Sequence, residues 1–360
     1  MRIQRTSVGL DVHARSVVGC GLEDETGRVF QRRLSPEHHE ILEWIKELPA
    51  PVAVTYEAGP TGFGLARFLL AAGIDCRVAA PSKLIRPAGD RVKTDTRDAT
   101  HLARLLHLGE IAQVFVPSVE CEAARDLVRA REDCRADLMR ARHRVSALLL
   151  RRQIVYSGGP TWTGTHEAWL RRQSFDDAPL QIAFDTALET MLATVDRRHR
   201  LDTAITEMAL DSEFTAVVRR LGCLRGVSTL TAFGLAVEIG DWSRLTGRAI
   251  GAYLGLVPTE YSSGSSRVQG SITRTGNAHA RRLLIEAAWH HRRPYRPGVE
   301  LRRRWQAASP AARRRGQQAN QRLHARWRGF DARAKRPAVA NTAIARELAG
   351  WCWSLAILEE

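Results

Sequence analysis

The stretch SVGLDVHARSVVGCGLEDETGRVFQRRL, residues 7–34, holds three short runs of strand-forming residues separated by turn signals. The runs are SVGLDVH (7–13), SVVGCGL (16–22) and VFQRRL (29–34). The turn EDETGR joins the last two and puts Gly27 where positive φ is favoured. Strands so short and so closely spaced predict an antiparallel meander. Ser35, with Pro36 at the first helical position, then opens a helix through PEHHEILEWIKEL, whose Ile41, Leu42 and Ile45 form an apolar stripe. Pro51 precedes VAVTYE, which reads as a buried strand, and a helix around GFGLARFLLAAG leads to a further strand, DCRVAA. A meander passing into alternating helix and strand defines an α/β layer with a mixed sheet over about residues 1–110.

Beyond it the pattern becomes helical. Ser118 is a candidate N-cap for a long amphipathic helix to Arg152, with Leu127, Cys134, Leu138, Ala141, Val145 and Leu148 at spacings of mostly three and four. A second long helix runs from about Pro179 to Leu210, carrying Leu188, Leu192, Val195, Leu201 and Ile205. The Gly/Pro-rich YSGGPTWTGTH separates the two. Residues 111–212 are therefore expected to form an antiparallel hairpin, either a coiled coil that also dimerises or a pair packed within one bundle. Residues 213–360 form a third, mainly helical region. In its tail, HHRRPYRPGVELRRRWQ and ARRRGQQANQRLHARWRGFDARAKR interleave arginine with Trp and Tyr, a composition suited to phosphate contact and base stacking.

The chain has 360 residues, 44% hydrophobic and 26% charged, ordinary values for a folded protein of two or three domains. Its formal charge of +15 is not ordinary. A field of that sign draws phosphate backbones and gains from counterion release, so nucleic acid is the expected partner. No run of 18 apolar residues occurs and the start MRIQRTSVGLDV lacks a signal-peptide pattern, so a cytoplasmic, nucleoid-associated location is expected and no membrane partner. Six cysteines without a CxxC pair read as reduced, buried thiols, and a structural zinc is not expected.

Against this basic background a few acids stand out. Asp11 ends the first strand and Glu57 the fourth, while VKTDTRDATHLARLL (92–106) opens a helix with Asp95 and Asp98 on one face. Four carboxylates gathered without partners would cost several kcal/mol each to bury ionised. Mg²⁺ or Mn²⁺ removes that cost, because hard cations take oxygen ligands, and a pair of ions about 3.5–4 Å apart serves phosphodiester chemistry. Singly, each acid also reads as a helix-start charge, a strand-end surface acid or a buried hydrogen-bonded group.

VGLDVHARSVV, YEAGPTG and VKTDTRDATHLARLL resemble the N-terminal half of the DEDD transposases of IS110 insertion sequences, whose first domain has a RuvC-like, RNase H fold. The resemblance continues along nearly the whole chain. GVSTLTAFGLAVEIGDWSRL resembles that family's helix-hairpin-helix-like element, AYLGLVPTEYSSG leads into its serine motif, and GSITRTGNAHARRLLIEAAW follows. RLHARWRGF and AIARELAGWCWSLA resemble its C-terminal end. The resemblance implies that Asp11, Glu57, Asp95 and Asp98 bind the metal. It also implies a nucleophilic serine in YSSGSS, with the family's Ser-Gly order selecting Ser263 and leaving Ser262, Ser265 and Ser266 as alternatives. Arg274 stands where relatives often carry Lys, a substitution that keeps the charge.

Taken by itself, EYSSGSSRVQGSITRTGN reads as a polar surface loop. Arg267, Arg274, Arg281 and Arg282 around it, with Lys93 and Arg97 beside the acids, are the candidate nucleic-acid contacts. The resemblance further implies a site completed between protomers of a dimer, or of a tetramer on DNA. It implies DNA cleavage through a serine–DNA bond, and a structured noncoding guide RNA whose A-form shape suits the arginine-rich surfaces. Gly226 in GVSTLTA reads either as a phosphate-facing helix start or as a tight inter-helix turn. His279, His290 and His291 lack a metal-ligand spacing and read as nucleic-acid or packing residues. Tyr156 and Tyr261 have no organised Arg/His set around them, which argues against a tyrosine recombinase. Two rival readings stand: a metal-dependent nuclease or junction resolvase that uses the same acids with water, and a non-catalytic nucleic-acid-binding protein.

Overall fold

The computed structural model describes residues 6–84 and 94–359, and the chain divides into two compact units, Met1–Ser118 and Val119–Glu360. In the first, β1 (Thr6–Val12), β2 (Val17–Glu23) and β3 (Val29–Leu34) form the expected meander. Helix α1 (His38–Lys46), β4 (Val52–Glu57), α2 (Gly64–Ala71), β5 (Asp75–Ala79) and α3 (Asp95–Leu108) follow. Helix α1 begins at His38, two residues later than Pro36 suggested. The Ser35 N–H and hydroxyl both donate to the Glu40 carboxylate, and the serine oxygen accepts the Glu37 N–H, so the chain turns before the helix starts.

The sheet order is β3-β2-β1-β4-β5, with β2 antiparallel to both neighbours and β1, β4 and β5 parallel. This is the RNase H-like arrangement. Val8, Leu10, Val54, Tyr56 and Val78 point to one face and pack against Ile41, Trp44, Ile45, Leu65 and Leu69 of α1 and α2. On the other face Val18 and Cys20 meet Ala99 and Ala103 of α3. Helix α3 comes this close because β1 carries Gly9 beneath it. A Cβ there would fall 2.1 Å from the Ala99 carbonyl oxygen and 2.5 Å from the Ala103 nitrogen. Gly9→Ala is therefore expected to push α3 off the sheet and lower stability by about 1–3 kcal/mol, read by urea unfolding.

In the second unit, α4 (Val119–Arg151) and α6 (Ala178–Leu210) form an antiparallel hairpin, each about 50 Å long. The buried seam of α4 differs by one residue from the expected one at two points, where Val128 and Leu149 replace Leu127 and Leu148. A straight helix drifts against a strict three-four pattern, and over 33 residues the drift selects the neighbour. The linker contains a short helix, α5 (Gly164–Leu170), capped by Thr163, whose hydroxyl accepts the His166 N–H. Leu138, Ala141, Val145 and Leu149 pack on Phe184, Leu188 and Met191, while Cys121, Ala124, Val128, Ile205 and Ala209 join the main core of the unit.

That core is built by α7 (Thr215–Leu221), α8 (Thr229–Ile239), α9 (Ala249–Tyr253), α10 (Ala278–Trp289), α11 (Val299–Gln306), α12 (Pro310–Asp331) and α13 (Pro337–Ala356). Between α9 and α10 stands an antiparallel pair, β6 (Pro258–Ser263) and β7 (Ser266–Ile272). Three of the tail tryptophans are structural. Trp327 is fully buried with its indole N–H on the Ala288 carbonyl, and those of Trp305 and Trp353 reach the carbonyls of Cys223 and Leu245. Flanking arginines had suggested base stacking for Trp305 and Trp327, but on a helix the arginines take the outer face and the ring turns inward. All six cysteines are free and buried, and no helix among the described residues is long and apolar enough to cross a membrane.

Candidate active site

Strand register decides where the acids go. Leu10 of β1 pairs in parallel with Tyr56 of β4, so Asp11 and Glu57 occupy the next position on adjacent strands. Side chains alternate along a strand. Gly9 faces α3, so Asp11, two residues on, lies on the α3 side, and Glu57 shares that side. Helix α3 brings its first turn over the same edge. The Thr94 hydroxyl caps it by accepting the Arg97 N–H at 3.3 Å, and Asp95 and Asp98 sit where carboxylates complement the positive end of a helix.

Asp11, Asp95 and His13 each offer a ligand atom, and the three atoms lie within 4.8 Å of one another. The His13 ring Nε2 is 3.2 Å from an Asp11 carboxylate oxygen. His13 was not expected at the site, although the signal was present: in DVH it stands two residues after Asp11 and so shares its face of the strand. Burial holds the Asp11 carboxyl above its ordinary range against the pull of His13, and Asp95 and Asp98 raise it further by repulsion. Arg33 reaches Asp95 at 3.8 Å, yet both groups are well exposed, so it screens little of this charge. Oxygen donors from crowded carboxylates plus one imidazole suit a divalent cation, and the group can hold one.

The serine segment is a hairpin where a loop was expected. Ser263 pairs with Ser266 across a two-residue turn, with Gly264 at φ 58° in the first central position. Both strands are almost wholly exposed, which is why their composition reads as loop. The Ser262 hydroxyl donates to Glu260 at 2.9 Å, and hydrogen bonds from Gln269, Ser262 and Arg267 hold the Glu260 carboxyl below its ordinary range. Among the described residues, the hydroxyls of Ser263, Ser265 and Ser266 have no protein partner.

The candidate nucleic-acid contacts divide by what they already touch. Arg267 pairs with Glu260 at 3.2 Å and remains exposed. Arg274 is exposed in a left-handed turn at φ 56°. Arg281 donates to the carbonyls of Leu254 and Thr275, and Arg282 pairs with Glu132 and Glu286, so both brace the protein around the hairpin. Arg97 is exposed at the start of α3, and Lys93 lies outside the described residues. Gly226 serves the tight-turn reading: at φ 80° a Cβ would fall 2.5 Å from the Ala287 carbonyl oxygen, so α10 closes on it.

One functional group escaped the sequence reading. Glu238 of α8 is 3% exposed, yet ionised: Arg129 and His279 contact its carboxylate at 3.1 and 3.0 Å, and the Asn277 amide donates to it at 2.7 Å. These partners overcome burial and bring its pKa down to about 2. Asn277 also caps α10, accepting the Ala280 N–H at 2.9 Å. Glu238 thus fixes the helix start to which β7 leads. His279 is a packing residue, as is His291, which is fully buried.

Acids on the adjacent strands β1 and β4 of an RNase H-like sheet, with two more in the first turn of α3, have the arrangement of a DEDD-type domain. Residues 8–153 match the family model of the IS110 DEDD transposases, described as Transposase, and residues 218–301 match that of the Transposase IS116/IS110/IS902 family. The chain is 42% identical over 355 residues to the "Putative transposase y4qE" of Sinorhizobium fredii, covering 97% of this chain and 88% of that one. It is 30% identical over 345 residues to the transposase for insertion sequence element IS1533 of Leptospira borgpetersenii, covering 92% and 99%. The chain belongs to the IS110 family of transposases.

Proposed function

We propose that this transposase cuts and exchanges DNA strands through a covalent serine intermediate. The Ser263 hydroxyl attacks a DNA phosphodiester: the Oγ–P bond forms, the P–O3′ bond breaks, and the leaving 3′ oxygen takes up the proton that Oγ gives up. The reverse attack by a partner strand's 3′-hydroxyl restores the serine and needs no external energy. Asp11, Asp95 and His13, with Glu57 and Asp98 completing the set, would hold Mg²⁺ or Mn²⁺, which supplies charge neutralisation at the phosphate. The chain's own residues position the strand, and fixed positioning with charge complementarity carries most of such a reaction.

The carboxylate unit of one protomer serves the serine of another, so the active assembly is at least a dimer, and a tetramer when two DNA segments are joined. A structured noncoding RNA selects the sites. The observation that carries this reading is the convergence of Asp11, His13 and Asp95 within 4.8 Å in a chain that also presents Ser263 on an exposed hairpin turn. Its test is a trapped reaction on element-end DNA with Mg²⁺, followed by mass spectrometry of the protein–DNA adduct. The expected attachment site is Ser263. Cleavage without any adduct would instead establish the resolvase reading with water as nucleophile.

A further inference from the structure

The second unit contains a cavity of about 1350 Å³ bounded by the base of the β6–β7 hairpin, α9, α12 and α13. Arg248, Arg274, Arg315, Arg326, Lys335 and Arg346 line it, and Glu347 is the one acid among its lining residues. Glu347 is itself engaged by Arg322 and Arg326. The side chains of Arg248, Arg274 and Arg346 form no hydrogen bond or ion pair among the described residues. Cations crowded on a concave wall without counter-charge repel one another, and an anionic ligand removes that repulsion.

The floor is built for close approach. Gly251 lies under the Arg346 side chain, where a Cβ would come within 3.1 Å, and Gly247 lies at the same distance under the Trp353 ring. Helix α9 can therefore lie directly on α13 and leave the space above open. On the wall, the Arg315 guanidinium sits 4.7 Å from the Trp351 ring centre, joining aromatic surface to charge. A positive groove with aromatic surface is the usual means of holding a single strand. Drug-sized ligands fill about 300–1,000 Å³, so this cavity takes a few nucleotides of one strand and is too small for a turn of duplex. Strand β7 connects it to the serine: Gln269, Gly270 and Ser271 line the cavity, and Ser266, which faces Ser263, lies about 10 Å beyond Gln269 along the strand.

We infer that this groove holds the sugar–phosphate backbone of a single DNA strand that runs from the Ser263 turn toward α13. The choice of DNA and its direction rest on the serine reading above; the existence of an anion-binding groove does not.

The test is fluorescence anisotropy of the full chain carrying Ser263→Ala, titrated with a labelled 20-mer as single-stranded DNA, as duplex DNA and as RNA of the same sequence. Arg248→Ala/Arg346→Ala is compared with Arg302→Ala/Arg328→Ala, which removes equal charge outside the groove. The groove pair is expected to weaken single-stranded DNA binding about tenfold at 150 mM salt and to reduce the salt slope by about 1.4, two phosphates at about 0.7 each. The outer pair is expected to cost about twofold or less, and Arg248→Lys/Arg346→Lys to restore most of the loss. Equal losses for the two alanine pairs, or a groove effect confined to duplex or RNA, would overturn the inference. Because nothing is cut in this assay, failure of the groove leaves adduct formation at Ser263 intact, and failure of the serine reading leaves the binding result standing.

Discussion

Replacing Asp11 with asparagine is expected to lower strand transfer by about a hundredfold to a thousandfold while making the metal-free protein slightly more stable. The activity loss follows if Asp11 helps hold the cation that neutralises the phosphate, since electrostatic groups aimed at a reacting centre are commonly worth about 10²–10³ each. The stability gain follows from the carboxyl's surroundings. Burial first, and then Asp95 and Asp98, disfavour its ionised form. A carboxyl whose folded pKa lies above its unfolded value contributes most at low pH, and that contribution is lost as pH rises through the folded value. At pH 7 the ionised Asp11 is thus a liability that asparagine removes, so the variant should melt slightly higher. Added Mg²⁺ or Mn²⁺ should reverse the order by stabilising the wild type and leaving the variant unchanged, because ligands stabilise the state that binds them. Thermal melts with and without metal, beside a strand-transfer assay, decide it. A variant that melts lower without metal would mean that Asp11 is held by other interactions.

The second large effect concerns Glu238. Truncation by Glu238→Ala would strip the shared partner from Arg129, His279 and Asn277. Breaking a buried pair costs about 3–5 kcal/mol, and the lower end applies because the Arg129 side chain is half exposed. Glu238→Gln keeps the shape and loses the charge, and so isolates the electrostatic part. With a folded pKa of about 2 against an ordinary 4.5, the carboxylate contributes about 3 kcal/mol above pH 4.5, lost as pH falls toward 2. The urea-unfolding gap between wild type and Glu238→Gln should therefore be full near pH 7, narrow as pH falls below 4.5 and close only below about pH 2. A gap independent of pH would assign the effect to packing. Since Asn277 caps the helix that receives β7, both variants should also reduce strand transfer.

The first unit was legible because its central strands β1, β2 and β4 are apolar runs closed by turns, and the register that sets Asp11 beside Glu57 follows from Leu10 opposite Tyr56. Where the reading failed, packing outweighed composition. The β6–β7 hairpin buries almost nothing, so Glu260, Ser262 and Ser263 look like loop although their backbone pairs. Trp327 looked like a stacking residue because arginines surround it in sequence, whereas in space it is enclosed. Glu238 had a signal that composition conceals, a single acid within AFGLAVEIG, where every residue from Ala232 to Ile239 is buried. An acid in such a run needs partners, and those come from α4 and α10, more than a hundred and about forty residues away.

The burial of the native thiols makes the protein a ready host for site-directed probes. Each cysteine is at most 3% exposed, and burial pushes those of Cys76 and Cys352 up to about 12, where the thiolate is scarce at neutral pH. A maleimide dye would therefore couple selectively to Ser265→Cys at the hairpin tip without first removing any native sulfur, letting single-molecule fluorescence follow that tip as DNA arrives.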